Sequence, residues 1–264
     1  LKAVTKKYID HTLLLDKRED YWLTDGLQTY LMMNYVSQYY PEIKLAGNIS
    51  KRWGFRNFNF SKLKFNDKYP FVYQYTARQF LDQALNTRSD SLSNFNRKIA
   101  GKYKAGLGLR YLADYIGDTV ISSSFKEFYQ KNKLNFAKSE SFKKIVYKKT
   151  SKDINWFFDE YLTTDKKIDY TIKKAVVLDD SVYVTIKNKR NITAPVALYG
   201  LKNKQVKFKK WLTNIDSTTT VAIPKNGFNR VSLNFENSYP VFNSMDNWKK
   251  VGTNILNKPI QFKL

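Results

Sequence analysis

The sequence contains no cysteine and a single histidine among its 264 residues. The first absence excludes disulfides, thiolate nucleophiles and thiolate metal sites. The second leaves His11 alone, beside Asp10 on an expected helix, and one imidazole is no metal site. His11 reads as an ordinary surface or packing residue. No run of eighteen apolar residues occurs, so no segment reads as a membrane-spanning helix. Internal repeats and low-complexity tracts are missing too. The chain does have 42% hydrophobic, 16% aromatic and 26% charged residues, enough for a packed core and unlike a disordered chain. The length fits one large domain or two ordinary ones.

Acidic residues are the scarce charge: 23 Asp and Glu face 46 Lys and Arg, a net charge of +23. The excess is even, +12 over residues 1–166 and +11 over 167–264. A nucleic-acid domain more often concentrates its charge in a stripe. The even layout argues against nucleic acid. It leaves an acidic membrane surface, a membrane protein, a polyanion or an acidic protein as partners. The chain opens at Leu1 without a signal-peptide pattern and stops inside the alternating stretch Ile260 to Leu264. Both ends read as cuts in a longer polypeptide.

The hydrophobic period changes near residue 166. Residues 1–166 read as helical, with apolar groups at helical spacing in Leu27, Tyr30, Leu31 and Val36. Ile99, Tyr103, Leu107, Leu109, Leu112 and Ile116 form a second set, and Ile121, Phe125, Phe128 and Tyr129 a third. Gly117-Asp118 is expected to end one helix and cap the next. Ser139 and Asp153 are expected caps for helices carrying Phe142, Ile145 and Val146, and Ile154, Phe157, Phe158 and Tyr161. Residues 44–70 are less regular and interleave Trp53, Phe55, Phe58, Phe60, Phe65 and Tyr69 with Lys and Arg. Such a stretch can stack single-stranded bases. In a helical protein it reads better as a loop packed onto the body.

After residue 166 the period is two. Val182, Val184 and Ile186 alternate with polar residues, followed by Val196 and Leu198, Val206, Phe208 and Trp211, Val221 and Ile223, and Val231, Leu233 and Phe235. Turn residues separate these runs at Asp179-Asp180, Asn188 to Asn191, Lys202-Asn203, Asn214 to Ser217 and Asn226-Gly227. About seven short strands in an antiparallel β-sandwich are expected over 167–264.

Four blocks, in order, resemble the aminopeptidase N family of gluzincin zinc metallopeptidases. Tyr21-Trp22-Leu23-Thr24-Asp25-Gly26-Leu27-Gln28-Thr29-Tyr30 resembles its W-L-N-E-G-F-A-x-Y helix. Tyr103-Lys104-Ala105-Gly106 resembles its Y-E-K-G segment, with Ala105 replacing the lysine. Phe125-Lys126-Glu127-Phe128-Tyr129 resembles the following helix, and Asp153 to Leu162 resembles D-L-D-W-F-F-D-Q-W-L. The resemblance implies an α+β multidomain chain. Residues 1–166 would be the α-helical, thermolysin-like C-terminal part of a peptidase domain, and 167–264 an immunoglobulin-like β-sandwich.

The resemblance also implies site residues. Asp25 stands at the third zinc-ligand position, one methylene shorter than the family's Glu. Tyr103 matches the tyrosine that hydrogen-bonds the tetrahedral intermediate. Asp20 matches an aspartate that reads as structural, and Glu19, Asp20 and Asp25 together would make at most a weak cation cluster. Counting back from Asp25 without gaps puts the family's H-E-x-x-H on Lys2-Ala3-Val4-Thr5-Lys6. Two cations stand where two imidazoles would ligate zinc, and Ala3 cannot act as general base.

The first expectation is therefore a degenerate relative serving as a scaffold or as a peptide- or partner-binding module, with no cofactor held by this chain. A second is the C-terminal part of an active aminopeptidase whose zinc-binding helix precedes residue 1. A third is a basic protein that binds polyanions or acidic membranes. Composition and the cut ends suggest a bacterial exported protein, periplasmic or associated with the outer membrane.

Overall fold

The computed structural model describes residues 2–48 and 59–252. The chain divides into two compact units, Leu1–Asp165 and Lys166–Leu264. Helices fill the first and antiparallel strands the second.

The helical unit is built around α2 (Tyr21–Tyr39) and α4 (Gly101–Ile116), with α1 (Lys2–Thr12) against α2 and α3 (Lys68–Arg78) against α4. A π-helical turn, Asn96–Ala100, leads into α4. The first half of α2 is buried nearly all round, from Tyr21 to Tyr30 apart from half-buried Asp25. This is possible because α2 and α4 cross on small residues. A Cβ on Gly26 would stand 2.9 Å from the Ala105 Cβ, and one on Gly106 would stand 2.4 Å from the Thr29 methyl. Glycine at these crossings lets two backbones approach where side chains would hold them apart. The second half of α2 is exposed. Leu31, expected in the core, is 40% exposed, and Met33 is the buried residue of that turn.

Helices α5 (Asp118–Asn132) and α6 (Ser139–Lys149) pack together through a stack of Phe125 on Phe142 at 4.6 Å. Gly117 joins α4 to α5 at φ 111°, a conformation L side chains avoid. Gly117, not Asp118, is the N-cap, and Asp118 is the first helical residue. The cap of α6 likewise falls on Lys138, while the Ser139 hydroxyl donates to the Asp20 carboxylate. Asp153 accepts from the Asn155 backbone N–H at 2.9 Å, just ahead of the π-helical turn Trp156–Tyr161. Strands β1 (Leu14–Leu15) and β2 (Phe136–Ala137) pair in parallel across this unit.

Glu127 ties α5 to α6, accepting from Lys131 at 2.7 Å and pairing with Lys149 at 2.9 Å. The hydrogen bonds from Lys131 and Lys149 hold its carboxyl down at about 2, against an ordinary 4.5. A lowered carboxyl contributes stability above its unfolded pKa and loses it as pH falls through the folded one. The thermal midpoint of the parent should therefore fall more steeply between about pH 5 and pH 2 than that of Glu127→Gln. Equal slopes would show the bridges to be idle in solution.

Of the irregular stretch, residues 43–45 and 63–65 pair at its base, through Leu45 N–H to Leu63 carbonyl and Phe65 N–H to Ile43 carbonyl, both 2.9 Å. The Lys68 ammonium sits 3.3 Å from the Phe65 ring centroid, and Tyr69 is buried. These two aromatics pack within the unit. Trp53, Phe55 and Phe58 and the Phe60 side chain lie outside the described residues.

In the second unit, β3 (Tyr170–Leu178), β4 (Ser181–Asn188) and β7 (Thr218–Pro224) form one antiparallel sheet in the order β3-β4-β7. β5 (Val196–Lys202), β6 (Gln205–Leu212), β8 (Arg230–Leu233) and β9 (Trp248–Lys250) form another in the order β6-β5-β8-β9. Val182, Val184, Ile186, Leu198, Val231 and Leu233 are buried, as their alternation requires. β6 departs from expectation. It is an edge strand, Val206 is 41% exposed, and burial is reached only at Leu212. Phe235 lies beyond β8, which ends at Leu233.

Candidate functional site

Asp25 lies in the second turn of α2, with Gly26 held against α4. That crossing aims its half-buried carboxylate at the first turn of α4. There the Lys102 ammonium pairs with it at 3.1 Å, the two side chains being 24% and 14% exposed. A second cation approaches from α1. The Lys6 ammonium bonds Asp10 at 2.6 Å, and Lys17 pairs with the same carboxylate at 3.1 Å. Lys6 is raised above its ordinary value, first by the Asp10 hydrogen bond and to a smaller extent by the charge of Asp25. Lys6 and Asp25 thus lie within electrostatic range of each other, with the charge signs of an ion-pair network.

Tyr21 borders the same place. A Cβ on Gly101 would lie 3.3 Å from its hydroxyl. Burial first, and then the Asp25 charge, push the Tyr21 hydroxyl well above the usual phenol range, so it stays protonated. Tyr103 follows Lys102 on α4. It is half-buried, its ring meets Tyr69 edge-on at 4.7 Å, and burial raises its hydroxyl. Tyr103 is therefore a neutral hydroxyl at neutral pH, able to donate.

The donor set does not suit zinc. Zinc takes imidazole, thiolate or carboxylate, and an ammonium offers no lone pair while protonated. Among the described residues no group of three or more His, Cys, Asp or Glu is placed to hold a metal. His11 is exposed near the end of α1. Asp20 is buried and engaged by Ser139, so it serves the α2–α6 contact and not a cluster with Asp25. No chemical step through a metal is derived from these residues.

Sequence reasoning missed Lys102, whose partner on α2 is distant in sequence. It also missed a pair two residues further along α4. Lys104 is sealed in the core against Asp82 at 3.2 Å, each side chain 2% exposed. Lys104 Nζ also donates to the Gln83 carbonyl at 3.2 Å, and the Tyr161 hydroxyl donates to the Lys104 carbonyl at 2.6 Å. No helix among the described residues is long and apolar enough to cross a membrane.

No protein-family model matches the chain, and no curated protein matches it. Among solved structures it is similar to aminopeptidase A of Legionella pneumophila in complex with aspartic acid, with a TM-score of 0.56 and 15% identity. The match covers 83% of this chain and 23% of that one, so this chain spans less than a quarter of the neighbour's length. At that identity the likeness concerns the fold: a mixed α and antiparallel β chain related in architecture to part of a peptidase.

Proposed function

We propose that this chain is a metal-free relative of the aminopeptidase N family, a non-catalytic module that binds a peptide or protein partner. The observation that carries the reading is the Asp25–Lys102 ion pair at 3.1 Å. Where the family holds a zinc ion against a carboxylate, this chain sets a lysine ammonium against it. The cation then contributes charge balance and helix docking, and no Lewis acidity. Ala3 offers no general base, and Tyr103 alone could stabilise an oxyanion but has no activated nucleophile to act with.

In this reading the helical unit is the C-terminal part of a thermolysin-like domain. The second unit is immunoglobulin-like, and its sheet orders β3-β4-β7 and β6-β5-β8-β9 are those of strands A-B-E and C′-C-F-G of such a sandwich. The surface charge of +23 favours acidic partners, at an exported location.

Aminopeptidase substrates offered to the purified chain, with and without added zinc, should show no turnover. Turnover that rises with zinc to one equivalent would overturn the proposal in favour of an active peptidase.

A further inference from the structure

The second unit carries a cavity of about 170 Å³ lined by Leu201, Asn203, Lys204, Asn229, Arg230 and Phe235. It lies wholly within that unit, and nothing about it rests on the reading of Asp25. Its position follows from the strand pairing. Leu201 and Arg230 are cross-strand partners on β5 and β8, and Asn203-Lys204 is the two-residue turn joining β5 to β6.

Three features point to an anion. Arg230 has no carboxylate partner among the described residues. Its guanidinium instead rests on the Trp248 ring at 4.5 Å, which fixes its plane while leaving its N–H fork available. The acid next to Phe235 in sequence, Glu236, is taken by the Tyr199 hydroxyl at 2.7 Å and Lys209 at 2.9 Å. Second, Arg230 stands directly opposite Lys250 on β9, so two cations share one face of the sheet beside the cavity. Third, both turn residues are left-handed, Asn203 at φ 50° and Lys204 at φ 65°. The type I′ turn favours glycine at the second position, and a lysine there holds the backbone in a costly conformation. Lys204 lines the cavity, where a glycine would bring no charge.

The cavity's other wall is apolar, made by Leu201 and Phe235. Pockets for drug-sized ligands begin at about 300 Å³, so this one takes something about half that size. An inorganic phosphate would leave the apolar wall uncovered, and a long acyl chain would not fit. We propose that the cavity binds the free C-terminal residue of a peptide. Arg230 and Lys204 hold the carboxylate, and Leu201 and Phe235 take an apolar side chain.

The test is calorimetric titration of the 264-residue chain with three probes: N-acetyl-phenylalanine, its C-terminal amide and inorganic phosphate. The acid should bind saturably, and the amide and phosphate at least about tenfold more weakly. Arg230→Gln should abolish binding of the acid. Lys204→Gly should weaken it several-fold while raising the thermal midpoint, because glycine relieves the left-handed strain. That opposite pair of effects keeps the test decisive should Arg230→Gln fail to fold. Equal binding of acid and amide, tighter binding of phosphate, binding unchanged by either substitution, or no saturable binding would each overturn the proposal.

Discussion

Asp82→Ala should cost the helical unit about 3–5 kcal/mol, read as a shift of the urea midpoint at constant slope. The residue that would lose its carboxylate at 3.2 Å is Lys104, whose side chain is 2% exposed. An ammonium in that position cannot regain water without opening the α4 packing, and removing one member of a buried pair leaves an uncompensated charge. The Gln83 carbonyl and the Tyr161 ring, 5.9 Å from the ammonium, soften that cost without carrying a full counter-charge. Replacing both members, Asp82→Leu with Lys104→Met, should recover most of the loss, since a well-packed apolar pair is often as stable as a buried ionic one. A loss below about 1 kcal/mol for Asp82→Ala would mean that water reaches the pair.

Gly106→Ala should destabilise the same unit by about 1–3 kcal/mol through overpacking. The added methyl would stand 2.4 Å from the Thr29 methyl, 2.5 Å from the Thr29 Cβ and 3.4 Å from the Thr29 backbone. The two side-chain contacts can be removed and the backbone contact cannot. Thr29→Gly in the same chain removes both, so Gly106→Ala should cost less in that background, and the two substitutions should couple in a double-mutant cycle. Additive effects would show that α2 and α4 do not cross at these residues in solution. Gly108→Ala, with its methyl 2.3 Å from the Tyr161 ring, is expected to behave in the same sense.

The elements legible in the sequence are those whose burial follows a simple period. α4, α5 and α6 keep their apolar residues at helical spacing, and β4 alternates cleanly from Val182 to Ile186. What was missed breaks the period for local reasons. β3 carries Lys173-Lys174, and its register slips between Ile172 and Lys174, so a bulge interrupts the alternation. α3 opens as Lys68-Tyr69-Pro70 and buries tyrosines and small residues where aliphatics would signal a helix. β6 is read as a strand from Val206, Phe208 and Trp211, but it is an exposed edge, so these residues are not the core that their run suggests.

The site divides the same way. Asp25 and Tyr103 stand out in the sequence through the motif resemblance, because the glycine-bearing crossing of α2 and α4 imposes a recognisable sequence. The electrostatics of Asp25 are set by Lys102 and Lys6, which belong to other helices and look like ordinary surface lysines in a chain with twice as many cations as anions. Periodicity reports which face is buried and says nothing about which charge meets which across a helix crossing. The spacing of Lys102 one residue before Tyr103 was the available signal, and only the α2–α4 packing gives it meaning.

The central claim is that cations occupy the place a zinc ion would need. The most direct measurement is elemental analysis of zinc in the native chain, purified without a metal-affinity tag, beside a Lys2→His, Lys6→His, Asp25→Glu, Lys102→Ala variant. The account predicts no stoichiometric zinc in the native chain and uptake by the variant, whose two imidazoles and one carboxylate form a zinc ligand set. About one zinc per native chain would contradict it.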